Sequence, residues 1–100
     1  MPRHWHAAPW FLRAATCVHQ HEGAWNDNTG NTYFGGLQFL ESTWKRAGGA
    51  HHMAFDHPGD QRRYPFTVSP REQIYRMWII VRQDGGSFRE WGTAGACGLR

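Results

Sequence analysis

Cysteine is scarce in this chain. Only Cys17 and Cys97 occur among one hundred residues, near opposite ends. There is no Cys-x-x-Cys pair, which excludes the common zinc-ribbon and thioredoxin-like arrangements. The spacing alone leaves two readings open, a pair of buried free thiols or one long-range disulfide. A bridge would stabilise by roughly 4 kcal/mol on chain-entropy grounds and would imply an oxidising compartment. Long apolar runs are also missing, so nothing reaches membrane-spanning length and no membrane insertion is expected. Residues 1–16, MPRHWHAAPWFLRAAT, have a short apolar stretch broken by Pro9 and Arg13, so no signal peptide is visible. Repeats and low-complexity tracts are absent. The only adjacent basic pairs are Lys45-Arg46 and Arg62-Arg63. With basic residues this dispersed and no recognised motif, nucleic acid is not an expected partner.

The length suits one compact domain with room for one core and one cleft. Six Trp, six Phe and three Tyr exceed what such a core needs. Part of that aromatic surface is therefore expected to contact a ligand. A net charge of +3 suits an anionic polymer without choosing which. Seven histidines invite a metal reading, but His19 and His21 are two apart on a helix and face different ways. No His-Glu-x-x-His pattern occurs, so neither a metal nor an organic cofactor is expected.

Residues 1–8 read as an N-terminal extension and 9–100 as the domain. Phe11, Ala14 or Ala15, and Val18 form one stripe of a helix running from about Pro9 to Glu22, with Gly23 as its stop. Residues 23–36 read as a loop or small β-ribbon, with a turn at Asn28-Thr29-Gly30-Asn31 and a strand at Tyr33-Phe34. A second helix is expected from about Leu37 to Ala47, burying Leu37, Leu40, Trp44 and Ala47 and ended by Gly48-Gly49. Residues 50–68, rich in His and interrupted by proline, read as a long surface loop. A third helix has the clearest start, with Ser69 as cap, Pro70 in the first turn and Glu72 three residues after the cap. Ile74, Met77, Trp78 and Val81 form its buried stripe. Ser87 to Glu90 repeats that capping pattern for a short last helix carrying Trp91. Trp10, Trp78 and Trp91 read as core.

One carboxylate, Glu22, continues the apolar stripe to the end of the first helix. A carboxyl in such a place is partly desolvated, which disfavours its anion. A glycosidase needs a protonated acid of this kind to release a leaving oxygen. Position alone does not separate that role from a helix-end glutamate in water.

The segment 17–44, CVHQHEGAWNDNTGNTYFGGLQFLESTW, resembles the core of the resuscitation-promoting-factor family, the small transglycosylase-like domains of actinobacteria and their phages. The similarity continues through Gly48-Gly49, Arg71-Glu72-Gln73-Ile74, Trp91 and Cys97, about 85 residues in all. It implies a mainly α, lysozyme-like α+β fold with a minimal β-ribbon, and a Cys17–Cys97 disulfide. It implies Glu22 as the single catalytic acid and the glycan strands of bacterial peptidoglycan as the partner. Gln38, Thr43 and Trp44 match residues lining the sugar groove, and Trp25, Asn31 and Tyr33 match the loop facing it. Trp44 also shares a stripe with Leu37 and Leu40, so the residues themselves favour a core role for it. The expected location is the cell wall or extracellular space, or a phage virion, and the expected state is a monomer or one domain of a larger protein.

Some family members have a second acid just after the Gln-Phe pair. Leu40 holds that position here, with Glu41 beside it. Asp27, Glu41, Asp56 and Asp60 are the other carboxylates near the segment, and none matches a nucleophile. A single acid points to capture of the sugar cation by its own 6-hydroxyl, as in a lytic transglycosylase. Capture by water would make a muramidase. The non-enzymatic alternative is a peptidoglycan-binding module of a phage tail or a signalling protein.

Overall fold

The computed structural model describes residues 2–27, 33–48 and 68–100. The turn at 28–31, including Asn31, and the loop at 50–67 lie outside the described residues. Helix α1 spans Pro9–Glu22, as its stripe predicts. Proline opens it, where a missing N–H costs nothing, and Gly23 N donates back to the His19 carbonyl at its end. Phe11, Ala14, Ala15 and Val18 are buried. Helix α3 spans Pro70–Gln83, and Ser69 Oγ accepts from Glu72 N at 3.1 Å. Such a cap contributes about 1 kcal/mol. Gly85 and Gly86, both at positive φ, turn the chain after Asp84.

Between these helices lies a two-stranded antiparallel ribbon. Strand β1 is Tyr33–Phe34 and β2 is Phe39–Leu40, with Tyr33 opposite Leu40 and Phe34 opposite Phe39. Helix α2 follows at once as Glu41–Arg46. This corrects the expected Leu37 start. Gln38 has φ 50°, which an α-helix excludes, so residues 37–40 serve as turn and strand. The inward residues are Leu37 and Phe39, alternating with period two, and Leu40 is 38% exposed rather than core. Six residues are too few for a self-supporting helix, and α2 is tied down by neighbours. Arg46 Nε donates to Gln83 Oε1 (3.0 Å), Gln83 Nε2 donates to the Arg46 carbonyl (3.1 Å), and Arg76 Nη1 donates to the Ala47 carbonyl (3.0 Å).

The expected last α-helix also differs. Ser87 Oγ accepts from Arg89 N, but this caps only a turn. A single 3-10 helix, Ala94–Cys97, follows. Gly92, Gly95 and Gly98 are poor helix formers, which accounts for the irregular path. Trp91 is held instead by its indole Nε1–H, which donates to the Leu37 carbonyl at 2.7 Å.

One core joins all of these. Phe11 packs edge-on against Trp78 and stacks with Phe88, while Phe39 meets both Trp44 and Trp91 edge-on. Trp10 is 52% exposed, not core. It sits one residue off the Phe11 stripe and touches only the rim of that cluster, through Phe11 and Trp78. Residues 2–8 dock on α3. The Trp5 ring meets Tyr75 edge-on, and Arg71 donates through Nε (2.9 Å) and Nη2 to the Trp5 carbonyl.

The disulfide implied by the resemblance is present. Cys17 and Cys97 are bonded, with Cα atoms 6.0 Å apart across 80 positions of sequence. It fastens the 3-10 helix to the C-terminal half of α1. Together these features make a mainly helical, compact α+β domain of lysozyme-like type.

Candidate active site

The last turn of α1 carries His19, which faces the ribbon turn, and Glu22. His19 Nδ1–H donates to the Gly36 carbonyl at 2.9 Å, and its ring stacks on Trp25 with centroids 3.9 Å apart. Gly36 lies directly against this stack. A Cβ on it would come within 2.5 Å of Trp25 and 2.8 Å of His19 Nδ1. Only glycine fits, because both neighbours are held in place.

Gln73 from α3 supports the same point from below. It is 0% exposed. Its Oε1 accepts from Gly36 N at 2.9 Å, and its Nε2 donates to the carbonyls of Trp25 (2.9 Å) and Val68 (3.1 Å). One buried amide thus engages three backbone segments and leaves neither of its own polar atoms unpaired.

The loop after Gly23 is closed by Asp27. Asp27 Oδ2 accepts from Ala24 N at 3.1 Å, and the Asp27 carbonyl accepts from Gly35 N at 2.9 Å. A Cβ at Gly23 would lie 2.1 Å from Asp27 Oδ2 and 3.6 Å from Gln38 Nε2. The Asp27 carboxylate and the Gln38 amide therefore flank the residue next to Glu22. Gln38 holds a left-handed backbone, pinned by its Nε2–H donating to the Gly35 carbonyl at 2.7 Å. A non-glycine residue there costs roughly 1–3 kcal/mol, and such strain clusters at working sites.

Glu22 is half-buried at the margin of this arrangement. Its Oε1 accepts a hydrogen bond from Thr93 Oγ1 at 2.7 Å, across 71 positions of sequence. Thr93 immediately precedes the 3-10 helix that Cys97 fastens to Cys17. His21, on another side of α1, donates through Nδ1 to the Cys17 carbonyl at 2.9 Å and stands 3.8 Å from Cys97 Sγ. Cys17, His21 and Cys97 cluster closely enough to hold a metal ion by distance. Their sulfurs are bonded to each other, however, and have no thiolate to offer.

The remaining residues of the expected groove divide. Tyr33 is 44% exposed on β1, beside exposed Leu40 on β2. Trp25 is half-buried with one face covered by His19. Thr43 is buried, and Trp44 is 1% exposed in the core beside Phe39. A ring so enclosed has no face for a sugar, which favours the core reading of Trp44. Asp56 and Asp60 lie outside the described residues, as does the Glu41 side chain.

Sequence reasoning missed Gln73 and Thr93 as parts of this site. Gln73 left a signal, an amide four residues before Met77 and in register with Ile80 and Val81 on the buried side of α3. Thr93 left a weaker one. It stands four residues before Cys97, just as Glu22 stands five after Cys17, so a bridge between the cysteines draws the two together.

The fold and the partly enclosed acid on its first helix define a small lysozyme-like domain. The chain belongs to the transglycosylase-like domain family, whose pattern matches residues 11–94. It is 34% identical over 85 residues, 85% of this chain, to the resuscitation-promoting factor Rpf of Micrococcus luteus. It is 38% identical over 63 residues, 63% of this chain, to the resuscitation-promoting factor RpfE of Mycobacterium tuberculosis. A 27-residue segment, 27% of this chain and 7% of that relative, is 63% identical to RpfA of the same organism. The chain spans about a third of the first two relatives, 30% and 36% of their lengths.

Proposed function

We propose that this domain cleaves the β-1,4 glycan strand of bacterial peptidoglycan, with Glu22 as the only catalytic carboxyl group. The observation that carries the reading is the Glu22 side chain itself. It is half-buried and oriented by the Thr93 hydroxyl at 2.7 Å, and the next residue, Gly23, lies beside the Gln38 amide. Membership of the transglycosylase-like family and the similarity to resuscitation-promoting factors support the same chemistry.

Glu22 protonates the oxygen bridging MurNAc to GlcNAc. The bond to the MurNAc anomeric carbon breaks, and the GlcNAc hydroxyl leaves. The resulting oxocarbenium-like centre is captured by the MurNAc 6-hydroxyl, assisted by the 2-N-acetyl group. Glu22, now anionic, accepts that hydroxyl's proton, which returns the acid for the next turnover. Two-carboxylate hydrolysis needs a second free acid facing the first. Asp27, whose carboxylate lies against Gly23, caps the 24–27 turn. That commitment favours intramolecular capture and a 1,6-anhydro-MurNAc end.

Gln38 and Tyr33 contact the glycan, Trp25 offers it an indole edge, and Asn31 is a further glycan contact. Thr43 and Trp44 support the groove from the interior. The polymeric substrate and the disulfide both favour action outside the cytoplasm, at a cell wall or from a phage particle.

Digestion of purified peptidoglycan, analysed by product mass, tests this. Wild type should release fragments ending in anhydro-MurNAc, and Glu22→Gln should lower release by at least ~100-fold, the usual weight of a general acid. Reducing ends alone would make the enzyme a muramidase. Equal release by Glu22→Gln would overturn the assignment, and binding without release by wild type would leave a glycan-binding module.

A further inference from the structure

We infer that Thr93 is a positioning residue for the acid, and that it assigns separate tasks to the two oxygens of Glu22. This rests on the reading of Glu22 as the proton donor and extends it. Thr93 Oγ1 lies 2.7 Å from Glu22 Oε1. A neutral carboxyl group has one protonated oxygen and one carbonyl-like oxygen. Because Oε1 accepts from the hydroxyl, Oε2 carries the transferable proton and is the oxygen that addresses the glycosidic bond.

The support for Thr93 is rigid. Its carbonyl accepts from Ala96 N (3.0 Å), and the next residue, Ala94, donates to the Trp91 carbonyl (3.0 Å). Trp91 is buried and anchored to the Leu37 carbonyl. Cys97, at the end of the same short helix, is bonded to Cys17, little more than one turn before Glu22. Donor and acceptor are thus mounted on two segments joined covalently beside them. A glutamate in the final turn of a helix otherwise samples several rotamers, and this hydrogen bond selects one.

The same bond acts during the reaction. As Oε2 loses its proton, negative charge spreads to Oε1. The contact then changes from a neutral hydrogen bond to a charge-assisted one, which is roughly twice as strong. An interaction that strengthens toward the transition state raises kcat and leaves ground-state binding little changed. A hydroxyl suits this task because it is uncharged. A lysine or arginine at the same place would hold Glu22 permanently ionised.

The test compares Thr93→Val, which keeps the shape and removes the donor, with Thr93→Ser, which keeps the donor. On soluble uncrosslinked glycan strands, Thr93→Val should lower kcat by about tenfold, the equivalent of one improved hydrogen bond, with KM within twofold. Thr93→Ser should stay within about threefold of wild type. In a Glu22→Gln background Thr93→Val should cause no further loss. The Glu22 carboxyl carbon resonance should shift in Thr93→Val and not in Thr93→Ser, a readout that needs no turnover. Unchanged kcat and carboxyl signal in Thr93→Val would overturn the inference, and so would equal losses in Val and Ser. If Glu22→Gln keeps full activity, the acid assignment itself fails. If Glu22→Gln is inactive while Thr93→Val is fully active, only the role of Thr93 fails.

Discussion

Replacing Gln73 with leucine keeps nearly the same volume at the floor of the site and removes every polar atom from it. Gly36 N, the Trp25 carbonyl and the Val68 carbonyl each lose the partner they now have at 2.9–3.1 Å. An unsatisfied buried backbone group costs roughly 1–3 kcal/mol. The Trp25 and Val68 carbonyls lie in part-buried contacts, so water recovers a share of their loss. Gly36 N, in a buried contact, bears the full penalty. The sum is about 4 kcal/mol, a large part of the 5–15 kcal/mol typical of a whole domain. At about 4–8 °C per kcal/mol for a chain of this size, the melting temperature should fall by about 20 °C. Urea denaturation followed by tryptophan fluorescence measures the loss, and hydrogen exchange at Gly36 locates it. Because the amide joins the 23–27 loop to the ribbon turn, glycan release should fall in parallel at temperatures where the variant remains folded. A loss below 1 kcal/mol, or unaltered protection of Gly36, would refute the view that this side chain clamps the site.

Two further perturbations act on the same framework. Paired replacement of Cys17 and Cys97 by serine reopens a closure of 80 positions, which chain entropy values at about 4.5 kcal/mol. Because the bridge also carries Thr93, activity should fall at temperatures well below the new melting point, and equal activity of the folded variant would separate the bridge from the site. Gly36→Ala pushes a methyl into Trp25 at 2.5 Å and His19 at 2.8 Å. Overpacking of this kind costs about 1–3 kcal/mol, and disruption of the His19–Trp25 stack should appear as a shift in tryptophan emission. An alanine variant with wild-type melting and emission would show that the stack yields freely.

The parts of the fold that the sequence expressed clearly are those where local signals agree. Pro9, the stripe from Phe11 to Val18 and Gly23 bound α1 from both ends, and Ser69-Pro70-x-Glu72 marks the start of α3. The errors fall where one pattern serves two periods. Leu37, Leu40 and Trp44 match a helical face, yet Leu37 and Phe39 equally match an alternating one. The arbiter is the left-handed Gln38, which no propensity indicates because glutamine rarely adopts that backbone. The size of Trp10 argues for burial, but its register, one residue off Phe11, places it on the rim. The Ser87 capping signal was real but local, since Gly92 and Gly95 give no helix to cap.

The site follows the same rule with longer reach. Glu22, Gly23, Gly36 and Gln38 are near one another in sequence and were legible as a segment. Gln73 and Thr93 act on that segment from 37 and 71 residues away, to Gly36 and to Glu22 respectively. Neither residue type has a chemistry of its own to advertise. What brings them in is the path of the backbone: α3 crossing beneath the ribbon, and the disulfide returning the C-terminal turn to α1. This division has a physical basis. The group that transfers a proton is specified by its residue type, so a motif can contain it. The groups that orient it need only a donor or acceptor at the right distance, and many residue types supply one. The orienting contacts are therefore decided by packing, and they are where members of one family can differ while keeping the same acid. On that argument, a relative with no hydroxyl at the position of Thr93 should hold its acid by another donor or hold it less tightly. Placing threonine there in such a relative should raise kcat only where its own acid lies within hydrogen-bond reach of that position.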